Sequence, residues 1–280
     1  MISDISYQDS ESIAVDDDGT VHVGFVSLGS VIYANDRDGY WEVTLLVEHP
    51  DAPDDILMGV SGATSVAVDG LGNPHVAVGY NRGYIGVFSD EGSGWTEHAL
   101  FNWDLTYDSV SLSANADGTL RVAYYGYPLS SPSLKGLMMG TRSMDVWQVE
   151  PVASMSSSPN EFTCALTADQ DDNPQIAWRE FGQDREGICV SRQGEGAWCT
   201  TTVVGSDGLI QYHCGLLSVC LDAHGSTFVS VYRGAAEYVT DSVTFLDGIS
   251  SVWPRAVVAY AGGLLLWVAT VLVARWALNK

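Results

Sequence analysis

Five stretches of this chain can be laid over one another without gaps. They are SIAVDDDGTVHVGF from Ser12, SVAVDGLGNPHVAV from Ser65, SLSANADGTLRVAY from Ser111, ALTADQDDNPQIAW from Ala165 and SVCLDAHGSTFVSV from Ser218. Their turn residues Asp16, Asp69, Asn115, Asp169 and Asp222 are spaced by 53, 46, 54 and 53 positions. Repeats of that length belong to propellers or solenoids, in which each unit buries its apolar faces only against its neighbours.

Within each unit apolar residues alternate at period two, as in Val21-His22-Val23-Gly24-Phe25 and Pro74-His75-Val76-Ala77-Val78. This is the signature of strands. Turns such as Asp16 to Gly19, Asp69 to Gly72 and Asp222 to Gly225 join the first two strands, glycine supplying the positive φ that closes a tight hairpin. Asn115 to Gly118 and Asp169 to Asp172 fill the same place. A second hairpin ends on a tryptophan in four units, at Trp41, Trp95, Trp147 and Trp198. Four strands per unit, repeated five times, predict an all-β chain: a five-bladed β-propeller of four-stranded antiparallel blades. The repeats lie near 12–47, 65–100, 111–150, 165–204 and 218–247, so the propeller domain is expected over 1–247. Gly24, Ala77, Ala123, Ala177 and Ser230 are small residues at one repeat position, expected where neighbouring blades approach most closely. The fifth unit shows no tryptophan at the end of its hairpin. Its outer strand is expected from residues 243–246 or from residues 2–7 at the N-terminus.

The repeats, above all Gly72 to Ala77 (Gly-Asn-Pro-His-Val-Ala), resemble the short repeats of lectin-like and sialidase-like propeller proteins, over roughly residues 10–247. The sialidase resemblance implies an arginine triad, a tyrosine with a carboxylate partner, and Ser-x-Asp-x-Gly-x-x-Trp boxes. Ser89 to Trp95 and Asp36 to Trp41 only approximate such a box. Arg121 stands where His22 and His75 stand, an architectural position. No Gly-x-Ser-x-Gly elbow, His-Glu-x-x-His helix or phosphate loop occurs, so no catalytic residues are expected. Neither a metal nor a cofactor is expected. His22 and His75 read as hydrogen-bonded strand histidines, and the acidic runs at 16–18 and 51–55 as turn carboxylates.

Acidic residues number 35 and basic ones 12, for a net charge of −23. Nine of the basic residues and all of the acidic ones precede residue 251, so the first 250 residues carry −26. A basic surface for nucleic acid is thereby excluded. Only Lys135 and Lys280 are lysines, and this composition reads as halophilic. Cys164, Cys189, Cys199, Cys214 and Cys220 form no CxxC pair. A disulfide between Cys189 and Cys199, across one hairpin, is the pairing expected.

The N-terminus has neither a basic start nor an apolar core, so no cleavable export signal is expected. Ala256 to Ala274 is a run of 19 uncharged residues, long enough at roughly 1.5 Å per residue to span about 28 Å of bilayer as a transmembrane α-helix. Trp253, Arg255, Trp267, Arg275 and Trp276 are its expected anchoring residues, 248–255 the linker and 275–280 a short basic tail. The propeller is expected on the exterior side of the membrane of a virion or cell envelope.

Binding chemistry is expected on the face made by the loops between second and third strands and between units, because the segments 48–63, 101–109, 151–162 and 205–216 are long. The candidates there are Tyr80, Arg82, Trp103, Tyr107, Tyr125, Arg179, Tyr212, His213 and Arg233, suited to stacking a sugar or docking a protein. The expected function is that of a non-catalytic, membrane-anchored structural or recognition protein of a halophilic virion. Its expected partners are the bilayer, other virion or envelope proteins and copies of itself. The alternative is a tail-anchored cell-surface lectin or sialidase-like glycan-processing protein, with a glycan as ligand. The charge generates the first prediction. Lowering salt from multimolar to about 0.1 M lengthens the Debye length to roughly 10 Å, and repulsion then outweighs a folding free energy of roughly 5–15 kcal/mol. Thermal melts across this salt series should show a steep fall in midpoint, and a flat series refutes the halophilic reading.

Overall fold

A computed structural model describes residues 11–27, 29–48, 60–80, 84–101, 109–126, 135–143, 145–154, 163–169, 171–181, 186–194, 196–204, 217–221, 227–233 and 242–247. They form antiparallel sheets and, apart from one 3-10 turn at Arg37–Gly39, no helix. The first sheet is β1 (Glu11–Val15), β2 (Val21–Ser27), β3 (Ser30–Asn35) and β4 (Glu42–Val47), followed by β5 (Val60–Val68), β6 (Pro74–Tyr80), β7 (Tyr84–Asp90) and β8 (Trp95–Phe101) in the second. The third holds β9 (Val110–Ala114), β10 (Leu120–Gly126), β11 (Gly136–Ser143) and β12 (Val146–Ser154). The fourth holds β13 (Cys164–Ala168), β14 (Pro174–Phe181), β15 (Glu186–Gly194) and β16 (Ala197–Val204). In the fifth, β17 (Leu217–Leu221), β18 (Thr227–Arg233) and β19 (Ser242–Asp247) make three strands. Strands pair in sequence order throughout, as hairpins dictate.

The first strand of each sheet packs on the first strand of the next: β1 on β5, β5 on β9, β9 on β13, β13 on β17. This is the propeller arrangement, with β1, β5, β9, β13 and β17 as inner strands. A serine near the start of each of the first three inner strands reaches across to the next one. Ser12 Oγ accepts the Val66 amide at 3.0 Å, Ser65 Oγ the Leu112 amide at 2.9 Å and Ser111 Oγ the Leu166 amide at 2.9 Å. Two of the small residues of the second strands, Gly24 and Ala123, lie against the next sheet. A Cβ on Gly24 would sit 3.4 Å from Val76 Cγ1 of the second sheet. Ala123 presents its carbonyl to the Cys164 thiol of the fourth sheet at 3.5 Å.

Apolar clusters fill the spaces between sheets. Val26, Val31 and Tyr33 meet Val66, Val76 and Phe88 between the first and second. Leu100 and Val87 meet Leu112, Val122 and Met138 between the second and third, and Ala123 and Tyr125 meet Cys164, Ile176 and Trp178 between the third and fourth. The tryptophans open the fourth strands instead of ending a hairpin, and Trp95, Trp147 and Trp198 each pack into the cluster shared with the preceding sheet.

The hairpin turns follow the Asp-x-x-Gly pattern. Gly19, Gly72 and Gly118 have φ of 86°, 81° and 81°, and Asp172 takes the same left-handed place at 68°. An aspartate tolerates that backbone better than most side chains. Here its carboxylate also accepts two hydrogen bonds from Arg121 of the third sheet, both 2.8 Å, which ties the turn of one unit to the strand of its neighbour.

The Cys189–Cys199 disulfide is not formed. Strand register is the reason. Cys189 lies opposite Thr202, and Cys199 lies opposite Arg192, three positions along the ladder. Cys189 is buried, with its sulfur 3.7 Å from Thr202 Oγ1, whereas Cys199 is exposed. Residues 243–246 fall in β19, the third strand of the fifth sheet, and residues 2–7 lie outside the described residues. Among the described residues no helix is long and apolar enough to cross a membrane, and the expected anchor at 256–274 lies outside them.

The serine contacts are testable by substitution. Ser65→Ala leaves the buried Leu112 amide without its partner and should cost about 1–3 kcal/mol. Ser113 has a buried hydroxyl with no partner among the described residues, so Ser113→Ala should be neutral or slightly stabilising. Denaturant titration of the two variants checks the contrast.

Candidate ligand-binding groove

The Asp-x-x-Gly turns anchor two polar networks. In the first sheet Asp16 Oδ1 accepts the Thr20 amide at 2.7 Å and Oδ2 lies 3.3 Å from His22 Nε2. His22 Nδ1 lies 2.5 Å from the Tyr33 hydroxyl. Burial works against the Asp16 carboxylate, but the Thr20 amide and His22 outweigh it and hold its pKa below the usual range. An ionised Asp16 needs the proton on Nε2, so Nδ1 accepts from Tyr33, whose hydroxyl burial pushes up to about 12. The second sheet repeats the theme. Asp69 accepts the Leu71 and Asn73 amides, each at 2.9 Å, and faces His75 Nε2 at 3.4 Å, while His75 Nδ1 meets Ser89 Oγ at 2.8 Å.

Asp69, His75 and Ser89 thus have the residue types of a nucleophilic triad. Their exposures of 7%, 1% and 1% enclose the hydroxyl within the sheet, so the set fixes the turn to its strand. In the third sheet Arg121 replaces the histidine and donates to Asn115 Oδ1 at 2.8 Å. In the fourth, Gln175 replaces it and accepts from Arg192 Nε at 3.0 Å. The strand histidines are hydrogen-bonded as their repeat position suggests. Among the described residues no cluster of three or more His, Cys, Asp or Glu could hold a metal ion.

Beside these networks a groove of about 180 Å³ opens between the first two sheets. The first sheet contributes Tyr33, Asn35, Glu42 and Thr44 from β3 and β4, with Arg37 from the 3-10 turn. The second contributes Asn73 and Pro74 at the start of β6, and Asp90, Gly92 and Trp95 around the β7–β8 turn. Trp95 stands edge-on to Tyr33, ring centroids 4.7 Å apart at 61°, so the two sheets fix the aromatic wall jointly. Asp90 Oδ1 accepts the Gly92 and Gly94 amides at 3.0 and 3.1 Å, and Asn35 Oδ1 accepts the Arg37 amide at 3.1 Å. Both rims are therefore braced. Pockets that enclose drug-sized ligands run to roughly 300–1,000 Å³, so this groove suits a single ring of a larger molecule. Its lining offers one indole, one guanidinium, carboxylates and amides, a set that can hydrogen-bond several hydroxyls around an apolar ring face.

The residues expected on the loop face are placed differently from this groove. Tyr80 is 5% exposed in the core between the first and second sheets, Tyr125 is 1% exposed in the core between the third and fourth, and Arg179 on β14 is 3% exposed. The Arg179 amide donates to the Thr163 carbonyl at 3.1 Å. Arg233 ends β18. Arg82, Trp103, Tyr107, Tyr212 and His213 lie outside the described residues, as do Trp253, Arg255, Trp267, Arg275 and Trp276. Sequence reasoning missed the groove because its lining is drawn from two repeats. The recurring signal was present in Asn35-Asp36-Arg37 and Ser89-Asp90-Glu91, each six residues or fewer before a tryptophan.

No protein-family model matches the chain, and no curated protein matches it in sequence. Solved structures do match in fold. The fucose-specific lectin from Aleuria aurantia is similar with a TM-score of 0.58 and 12% identity, over 91% of this chain and 80% of that one. A variant of the same lectin in complex with Fucalpha1-6GlcNAc gives 0.59 and 12%, over 92% and 80%. A bifunctional GH43-CE protein of Bacteroides eggerthii gives 0.50 and 13%, over 92% of this chain and 35% of that one. The chain thus shares an all-β propeller fold with these proteins.

The Asp–His networks generate a pH prediction. Burial drives the pKa of His22 and His75 below the ordinary value, against the pull of Asp16 and Asp69. Below about 6.5 the unfolded chain therefore binds protons that the folded one refuses, and stability falls as pH falls. The lowered Asp16 and Asp69 act in the same direction at lower pH. The melting midpoint should be level above about pH 7 and decline from about 6.5 downward. His75→Gln, with the side chain native to position 175, should reduce the decline between about pH 6.5 and 5.

Proposed function

We propose that this protein is a carbohydrate-binding propeller that takes one sugar ring of a glycan into the groove between its first two sheets. The observation that carries the reading is the groove's lining. Trp95 offers an apolar ring face, held by Tyr33, and Asn35, Arg37, Glu42, Asn73 and Asp90 surround it with donors and acceptors. Sugars present that pairing of an apolar ring face with peripheral hydroxyls, and aromatic walls with a few fixed polar groups are the usual way such ligands are oriented. Likeness of fold to lectins supports the same reading. We further propose five blades around one axis, the count given by the repeats.

Glycan-array screening of the full chain in high salt, followed by titration calorimetry on the best ligand, tests the proposal. Arg37 is exposed and Glu42 lies on the outer strand, so Arg37→Ala and Glu42→Gln should leave the melt unchanged. Each should weaken binding roughly tenfold, the loss of one hydrogen bond to a charged group. Binding that survives both substitutions and Trp95→Ala places the ligand elsewhere and overturns the assignment of the groove.

A further inference from the structure

The two Asp–His pairs are alike at one end and differ at the other. In the second sheet His75 Nδ1 meets the Ser89 hydroxyl, which is enclosed within the sheet. In the first sheet the fully buried His22 meets the Tyr33 hydroxyl at 2.5 Å. Tyr33 in turn lines the groove and holds Trp95 edge-on. A histidine with no exposed surface of its own thus stands one hydrogen bond behind the groove wall.

Each link behind that wall has one allowed direction. The Asp16 carboxylate accepts, so His22 donates from Nε2 at 3.3 Å and its Nδ1 is left as an acceptor. Tyr33 therefore gives its one proton to Nδ1 and turns its lone pairs to its other neighbours. Asn35 is one of these. Its Oδ1 takes the Arg37 amide at 3.1 Å, so its NH2 group is the one that donates to the Tyr33 oxygen. Asn35 and Arg37 both line the groove. The proton on His22 Nε2 thus decides which way the Asn35 amide points and how the turn that carries Arg37 is held.

A second proton on His22 reverses this order. Nδ1–H and the Tyr33 O–H cannot both occupy one 2.5 Å contact, so the hydroxyl swings its proton toward the Asn35 NH2, donor against donor. Burial is the largest influence on His22 and opposes the charged ring, Asp16 and Asp36 favour it, and Arg37 opposes it. Across the interface Asp90 of the second sheet faces Tyr33, together with Arg37 and Asp16 of the first. We propose that His22 is a positioning residue of the groove: through Tyr33 and Asn35 it sets which groove atoms donate and which accept, and its protonation undoes that setting, so the groove loses affinity in acid. The proposal rests on the groove being the sugar site.

Two measurements on the full chain in high salt, below the melting midpoint at each pH, test the relay apart from the sugar. Long-range proton–nitrogen NMR correlations read the tautomer of each histidine, His22 being assigned by its loss in His22→Gln. At about pH 7.5 His22 should carry its proton on Nε2. The Asn35 side-chain amide, assigned with Asn35→Asp, should shift with the His22 midpoint on acidification. In His22→Gln, whose amide offers a donor and an acceptor without titrating, that shift should vanish. Calorimetry with a panel of methyl glycosides of neutral hexoses then follows binding from about pH 7.5 downward. Affinity should fall along the His22 titration, about tenfold once the ring is charged, the loss of one hydrogen bond. His75→Gln should show the same fall. His22→Gln should give a profile level with pH, and so should Tyr33→Phe, which keeps its ring against Trp95. The proposal is overturned if His22 carries its proton on Nδ1 at about pH 7.5, if the Asn35 amide ignores the His22 titration, or if His22→Gln and Tyr33→Phe lose affinity in acid as the unaltered chain does. An Asn35 amide that follows His22 in a chain that binds no glycoside of the panel upholds the relay and refutes the sugar reading alone.

Discussion

Contact between successive inner strands governs this molecule. No sheet has a core of its own. Each is a thin layer whose two faces must be covered by its neighbours, and the inner strands are where that cover is closest. The hydroxyls of Ser12, Ser65 and Ser111 each accept a main-chain amide of the next inner strand, so the stacking is directional as well as hydrophobic. A sheet that slipped along its neighbour would leave a buried amide unsatisfied, which costs about as much as the hydrogen bond contributes or more. Small residues at Gly24, Ala77, Ala123 and Ala177 make the approach feasible.

The fourth unit departs from this rule. Ala165 stands where the other units have serine, so the fourth sheet has no hydroxyl to offer the fifth at that position. The interface between third and fourth sheets is instead doubly secured. Ser109 exchanges hydrogen bonds with the main chain of Cys164, and Arg121 grips Asp172. The Arg121–Asp172 pair is half exposed on the carboxylate side and adds little in multimolar salt. Its clearer consequence is local, since it accounts for an aspartate where glycine is the easier residue.

Most of the fold was legible in the sequence because period-two patterning and the Asp-x-x-Gly turns recur together, and a repeated signal is harder to mistake than a single one. The errors fall where a reading rested on separation along the chain without register. Ten residues between Cys189 and Cys199 suggested opposition, but the two-residue connection between β15 and β16 shifts the true partners to Thr202 and Arg192. Tyr80 and Tyr125 stand near the ends of second strands, which suggested a place on the loop face, yet they lie in the inter-sheet cores. The groove was invisible for a different reason. Its polar residues are ordinary turn residues within each repeat, and they converge only when two sheets are stacked.

At the C-terminus the sequence is read through hydropathy alone, because residues 248–280 lie outside the described ones. A run of 19 uncharged residues satisfies the length of a membrane span, and that criterion ignores where the preceding strands end. A strand covered on both faces is also continuously apolar, so the two environments select similar side chains.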